Sequence, residues 1–188
     1  MTPGGRLEAI FRGQLVDRVP FALKGWRVPQ CEAERQLRNR GMGVLDSAPV
    51  YAVSSPNVTT THVEYADGGV HLRRTTVDTP KGPLTWVSRP LGSERVERTS
   101  WTLEHPFKAP EDYVRLKAMV QDRRYAPCYE VFERARESVG GEAFFKTGAP
   151  GCALHTVLYT FMGPQTFAVE WAERRDEILS LCAAMTEN

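Results

Sequence analysis

The stretch Val19-Pro20-Phe21-Ala22-Leu23-Lys24-Gly25-Trp26-Arg27 decides how the fold is read. Its first five residues are a short apolar run. That length suits a strand buried on both faces, as in a parallel sheet. Pro20 has no N–H, so it belongs near the strand start or at an unpaired position. The polar residues that follow, Lys24 to Arg27, then form the loop after the strand. Working upstream, Leu7, Ile10 and Phe11 stand at helical spacing on one face, with Gly13 as the stop. Downstream, residues 30–40 favour a helix that Gly41 ends, and Gly43-Val44-Leu45-Asp46 reads as a second short strand.

The pattern then changes. Residues 57–101 are rich in Thr and Val, alternate with a period of two, and carry turn signals at Asp67-Gly68-Gly69 and Pro80-Lys81-Gly82-Pro83. They predict antiparallel strands at about 57–66, 69–78, 83–89 and 94–101. Helical spacing returns at Tyr113, Leu116 and Val120 after the helix start Pro110-Glu111-Asp112. A helix is expected at 127–139, a strand at 143–147, and helices at 152–161, 164–172 and 174–186. Strands alternating with helices predict an α/β fold with a parallel sheet. Its form would be a partial TIM (β/α)8-type barrel interrupted by an antiparallel β insertion. The chain has 188 residues, fewer than the ~250 of a closed eight-stranded barrel.

Composition limits the function. Lys plus Arg is 24 and Asp plus Glu is 23, a net charge of +1. No strong basic footprint exists, so no nucleic-acid partner is expected. No apolar run reaches the ~20 residues that span a bilayer, and the N-terminus lacks a signal-peptide core. Cys31, Cys128, Cys152 and Cys182 contain no CxxC pair, which predicts reduced thiols and a cytoplasmic setting. GxGxxG, GxxxxGK[ST], Gly-x-Ser-x-Gly and HExxH are all missing from the sequence.

Several stretches carry a family resemblance. Arg6-Leu7-Glu8-Ala9-Ile10-Phe11-Arg12-Gly13 with Asp17-Arg18-Val19-Pro20 resembles the opening of the uroporphyrinogen decarboxylase superfamily, which includes corrinoid-dependent methyltransferases. Thr79-Pro80-Lys81-Gly82 resembles the TPxG hairpin of the methyltransferase-like members. Glu104-His105-Pro106-Phe107-Lys108 with Glu111-Asp112-Tyr113, and Gly148-Ala149-Pro150, resemble further junctions of that barrel. The resemblance implies the amino-terminal half of such a barrel, spanning 1–188 with the insertion at about 57–101. It implies methyl transfer between a small substrate or thiol and a cobalt corrinoid carried on a partner protein. It also implies zinc in the half that this chain does not represent. Decarboxylation of a carboxylated tetrapyrrole is the alternative enzyme reading. Against it, Leu23-Lys24-Gly25-Trp26-Arg27 stands where the decarboxylases carry Arg-Gln-Ala-Gly-Arg. A non-catalytic binding or assembly module, covered by a second copy or a second half-chain, is the reading from another class.

The candidate site residues follow from position. Lys24, Trp26 and Arg27 follow the first strand, at the edge where barrel active sites gather. Lys24 and Arg27 are expected to hold an anionic substrate, with Trp26 stacking on a flat one. Asp46 ends the second strand and, with Arg27, is the expected catalytic group. Cys152 and His155 lie three apart on a helix. As a zinc pair they would lack a third ligand, so the reading preferred is a buried thiol beside a hydrogen-bonded histidine. No metal or cofactor is assigned to this chain. His105 is expected to make a structural hydrogen bond. Arg73, Arg74, Arg95 and Arg98, interleaved with Trp86 and Trp101, offer either a partner surface or a solvated sheet face.

Overall fold

The computed structural model describes residues 1–91 and 99–187, with the Trp26, Leu91 and Thr99 side chains outside the description. It is a mixed α/β structure with three open sheets among the described residues, none closed into a barrel. The described residues divide into two units. One comprises 1–52 and 127–149, and the other 53–91, 99–126 and 150–187.

The first unit begins with α1 (Pro3–Phe11). Thr2 caps it by accepting a hydrogen bond from Gly5 N–H at 3.1 Å, and proline occupies the first turn, where a missing N–H costs nothing. Next come β1 (Ala22–Lys24), a 3-10 turn (Gly25–Arg27), α2 (Glu32–Asn39) and β2 (Gly43–Ser47). This unit resumes with α4 (Tyr129–Val139) and β9 (Ala143–Lys146). β1, β2 and β9 form one parallel sheet in that order. The helix α1 lies against its amino-terminal edge. A Cβ on Gly4 would stand 2.6 Å from the Ala143 carbonyl oxygen, and one on Gly43 would stand 2.8 Å from Leu7 Cδ1. The Phe11 and Phe144 rings stack at 4.5 Å.

The first strand is shorter and later than the apolar run predicts. Val19 is 90% exposed and Phe21 54%, so the expectation of a strand buried on both faces at 19–23 is corrected to three residues at 22–24. Pro20 donates nothing to a ladder, and pairing starts two residues after it.

The second unit holds β4 (Thr59–Asp67), β5 (Val70–Thr79), β6 (Gly82–Leu91) and β7 (Thr99–Glu104), an antiparallel meander in chain order. The predicted hairpins are present. Gly68 and Gly69 both take positive φ (54° and 78°), the two-residue turn that matches strand twist. The start of the strand expected at 94–101 lies outside the described residues. One face of this sheet packs on α3 (Asp112–Gln121) and α7 (Arg175–Thr186). Val77, Leu84, Leu116, Val120, Ile178 and Leu181 share the core. Between the helices run α5 (Ala153–Thr156), a π-helical segment (Val157–Met162) and α6 (Pro164–Glu173), so the single helix predicted at 152–161 is in fact two segments. Tyr113 donates its O–H to Glu170 Oε2 at 3.0 Å, and Arg174 holds the other Glu170 oxygen at 2.8 Å. A two-stranded sheet that sequence patterning missed pairs β3 (Tyr51–Ser54) with β8 (Arg124–Pro127).

Candidate functional site

Parallel strands bring their carboxyl ends to one edge. Here that edge carries Lys24 from β1, Asp46 and Ser47 from β2, and Lys146 from β9. Arg27 follows in the 3-10 turn, exposed like Lys24. The Trp26 side chain lies outside the described residues.

Side chains alternate across a sheet, so register assigns each one a face. Leu23, Val44 and Ala143 lie in one row, and Asp46 with Phe145 in the next row on that same face. Phe145 meets the Phe132 ring of α4 at 5.0 Å, which makes this the helix-covered face. A Cβ on Gly25 would sit 3.1 Å from both Asp46 Oδ2 and Val44 Cγ1. Glycine there lets the chain turn closely past the Asp46 carboxylate. A cavity of about 330 Å3 opens on this side, walled by Val44 and Asp46 of the sheet, by Gly25 of the 3-10 turn, and by Glu34, Arg38 and Ser138 of α2 and α4. Arg38 is clamped by Glu34 and stands 3.5 Å from Glu142, and the Glu34 hydrogen bond raises its pKa further. Asp46 is half-buried, and its Oδ1 accepts from Ser47 N–H at 2.8 Å.

The other face holds the row Lys24, Leu45 and Phe144, then Ser47 beside Lys146. Sequence reasoning places Lys24, Arg27 and Asp46 in one site. The register instead puts Lys24 and Asp46 on opposite faces of the sheet. The residues it did not single out are Ser47 and Lys146 on the face opposite α4 and Glu34 and Arg38 in the cavity. Alternation one residue on from Asp46 gives the Ser47 face, but finding Lys146 requires knowing that β9 is the neighbour of β2.

The other candidates resolve individually. Cys152 and His155 are both exposed, so the buried thiol is corrected to an exposed one, and the His155 ring lies 4.7 Å from Tyr159. Among the described residues no three His, Cys, Asp or Glu side chains gather closely enough for a metal. Burial, and secondarily the nearby Cys152, push the Cys182 thiol up. His105 donates from Nδ1 to the Thr160 carbonyl at 3.1 Å and packs against Gly163, a structural role. Arg73 pairs with Glu64, Trp86 packs on the core, Trp101 is exposed, and Arg95 and Arg98 lie outside the described residues. No described helix is long and apolar enough to cross a membrane.

Set against models of protein families, curated proteins and solved structures, the chain matches none of them.

Proposed function

We propose that this chain is part of a (β/α)8-type barrel similar to the uroporphyrinogen decarboxylase superfamily, located in the cytoplasm. Its role is methyl transfer between a small substrate or thiol and a cobalt corrinoid on a partner protein. The observation that carries the reading is the parallel order β1, β2, β9, with cationic side chains at the shared carboxyl edge. Three such strands in chain order, with the antiparallel meander inserted between the second and third, are the start of a barrel wall.

In this reading the face opposite α4, which α1 covers only at its amino-terminal end, lines the barrel interior. Lys24 and Arg27 draw and orient an anionic group at the mouth. Leu45 and Phe144 form an apolar floor that excludes water beneath it. Asp46 faces away and acts as a positioning residue, its carboxylate set against the Gly25 turn that presents Arg27. The corrinoid supplies a cobalt centre that accepts or gives up the methyl group.

Titration with methylcobalamin, read by its visible absorbance, tests this. Saturable binding that weakens at least tenfold in Lys24→Ala/Arg27→Ala is expected. Absence of binding, or binding indifferent to both changes, rejects the proposal.

A specific observation favours a second reading, an assembly module. β1 and β9 each pair on one side only among the described residues, and Leu15 (99%), Val19 and Phe21 stand exposed. Mass measurement in solution separates the two, since a monomer at all concentrations rules out self-assembly.

A further inference from the structure

The antiparallel sheet has two unlike faces. Val77, Leu84 and Trp86 turn inward to the core. On the other face Tyr65 stands opposite Leu72 and Arg89 opposite Trp101, and the Arg73–Ser88 pairing aligns these two pairs in one row. The next row is Val63, Arg74 and Val87, and the third is Thr61, Thr76 and Thr85. Leu72 and Val87 are buried (8% and 4%) yet stand outside the main core cluster, so they form a separate apolar floor. Above it, Trp101 is 65% exposed and Val63 60%, and the Arg74 guanidinium lies 5.4 Å over the Tyr65 ring. The first and third rows contain no Asp or Glu, and the second ends on a single carboxylate, Glu104. Glu104, which the register brings opposite Val87, is held by Lys108 at 3.2 Å.

We propose that this face binds single-stranded nucleic acid. Bases stack on Trp101 and on the Tyr65–Arg74 pair, and phosphates meet Arg74 and Arg89. Flat sheet faces with exposed rings suit this ligand because every base offers a π-face. Tyr65 and Trp101 lie three strands apart, about 14 Å, room for separate bases rather than for one small ring. The hydroxyl row of threonines adds acceptors and donors without repelling phosphate. Only two arginines contribute, so binding comes mainly from stacking. A chain of net charge +1 is compatible with that, because the missing electrostatic footprint limits charge-driven binding and leaves stacking untouched.

The test is fluorescence anisotropy of labelled ten-nucleotide oligo-dT and oligo-U with the full chain. Saturable binding is expected, with log affinity falling against log salt at a slope of about −1.4, the value for two phosphate contacts on a single strand. Trp101→Ala should weaken binding by roughly five- to a hundredfold, while Trp101→Phe retains most of it. Arg89→Gln should flatten the slope to about −0.7. Trp101 is largely exposed, so circular dichroism should show both Trp101 variants folded. Three results overturn the proposal: no saturable binding, equal binding to polyglutamate, or a concentration-dependent dimer that Trp101→Ala dissolves without any oligonucleotide binding.

Discussion

The two sheets were built under different constraints. The antiparallel meander is assembled from neighbours in sequence and backed by α3 and α7, with Leu116, Ile178 and Leu181 completely buried. The parallel sheet joins strands that are distant in sequence, and the helices over it, α2 and α4, bury no residue. Among the described residues its buried apolar side chains are few, Leu7, Ala9, Met42 and Val44, all near α1 and the start of β2. Burial of apolar area dominates stability, so the second unit should carry most of it. The first unit keeps apolar surface and charged side chains uncovered, which suits a ligand, a partner or further strands.

The sharpest way to break this contrast is Leu116→Ala. Deleting a fully buried leucine side chain should cost about 2–5 kcal/mol, read as a drop in the thermal midpoint. A loss near zero would remove the second unit as the stability centre. Next in size, Tyr113→Phe should cost about 1–3 kcal/mol, since it leaves the buried Glu170 carboxylate one donor short. Burial, aided by that carboxylate, holds the Tyr113 proton well above the usual tyrosine value. The unfolded chain therefore ionises first. Stability from this group is level below about pH 10 and falls above it, and Tyr113→Phe should abolish that alkaline decline in a denaturant series.

The first unit has its own, smaller pH signature. The hydrogen-bonded Arg6 guanidinium holds the Asp17 carboxyl well below the usual carboxylate range. Its contribution is present above about pH 4 and is lost as pH falls below that. Asp17→Asn should flatten the acid side of the stability profile, and an unchanged slope would show that the pair does not anchor α1. Least of all, Leu37→Ala on α2, where leucine is 38% exposed, should lower stability by less than about 0.5 kcal/mol. A loss as large as that of Leu116 would mean α2 is covered in solution.

Much of the fold was legible in the sequence because local rules governed it. The hairpins followed from period-two alternation and from Gly68-Gly69, and α3 from its acidic start and its buried stripe of Tyr113, Leu116 and Val120. The site was only half legible. Lys24, Arg27 and Asp46 do follow strands, but whether Lys24 and Asp46 share a face depends on register, a property of pairs of strands. β3 and β8 were missed because their partners lie some seventy residues apart, and neither strand buries enough side chains to leave a periodic trace. The π-helical Val157–Met162 also left no signal, since its apolar spacing serves an α-helix equally well.

The close approach of Gly4 to the Ala143 carbonyl has a consequence for synthesis on the ribosome. Helix α1 meets Ala143 only after just over three-quarters of the 188 residues have been made, whereas the hairpin of β4 and β5 closes as soon as it emerges. Long-range closure of that kind is slow. Until β9 arrives, α1 has only β2 to pack on, through Leu7 against Gly43, and Phe11 lacks its stacking partner Phe144.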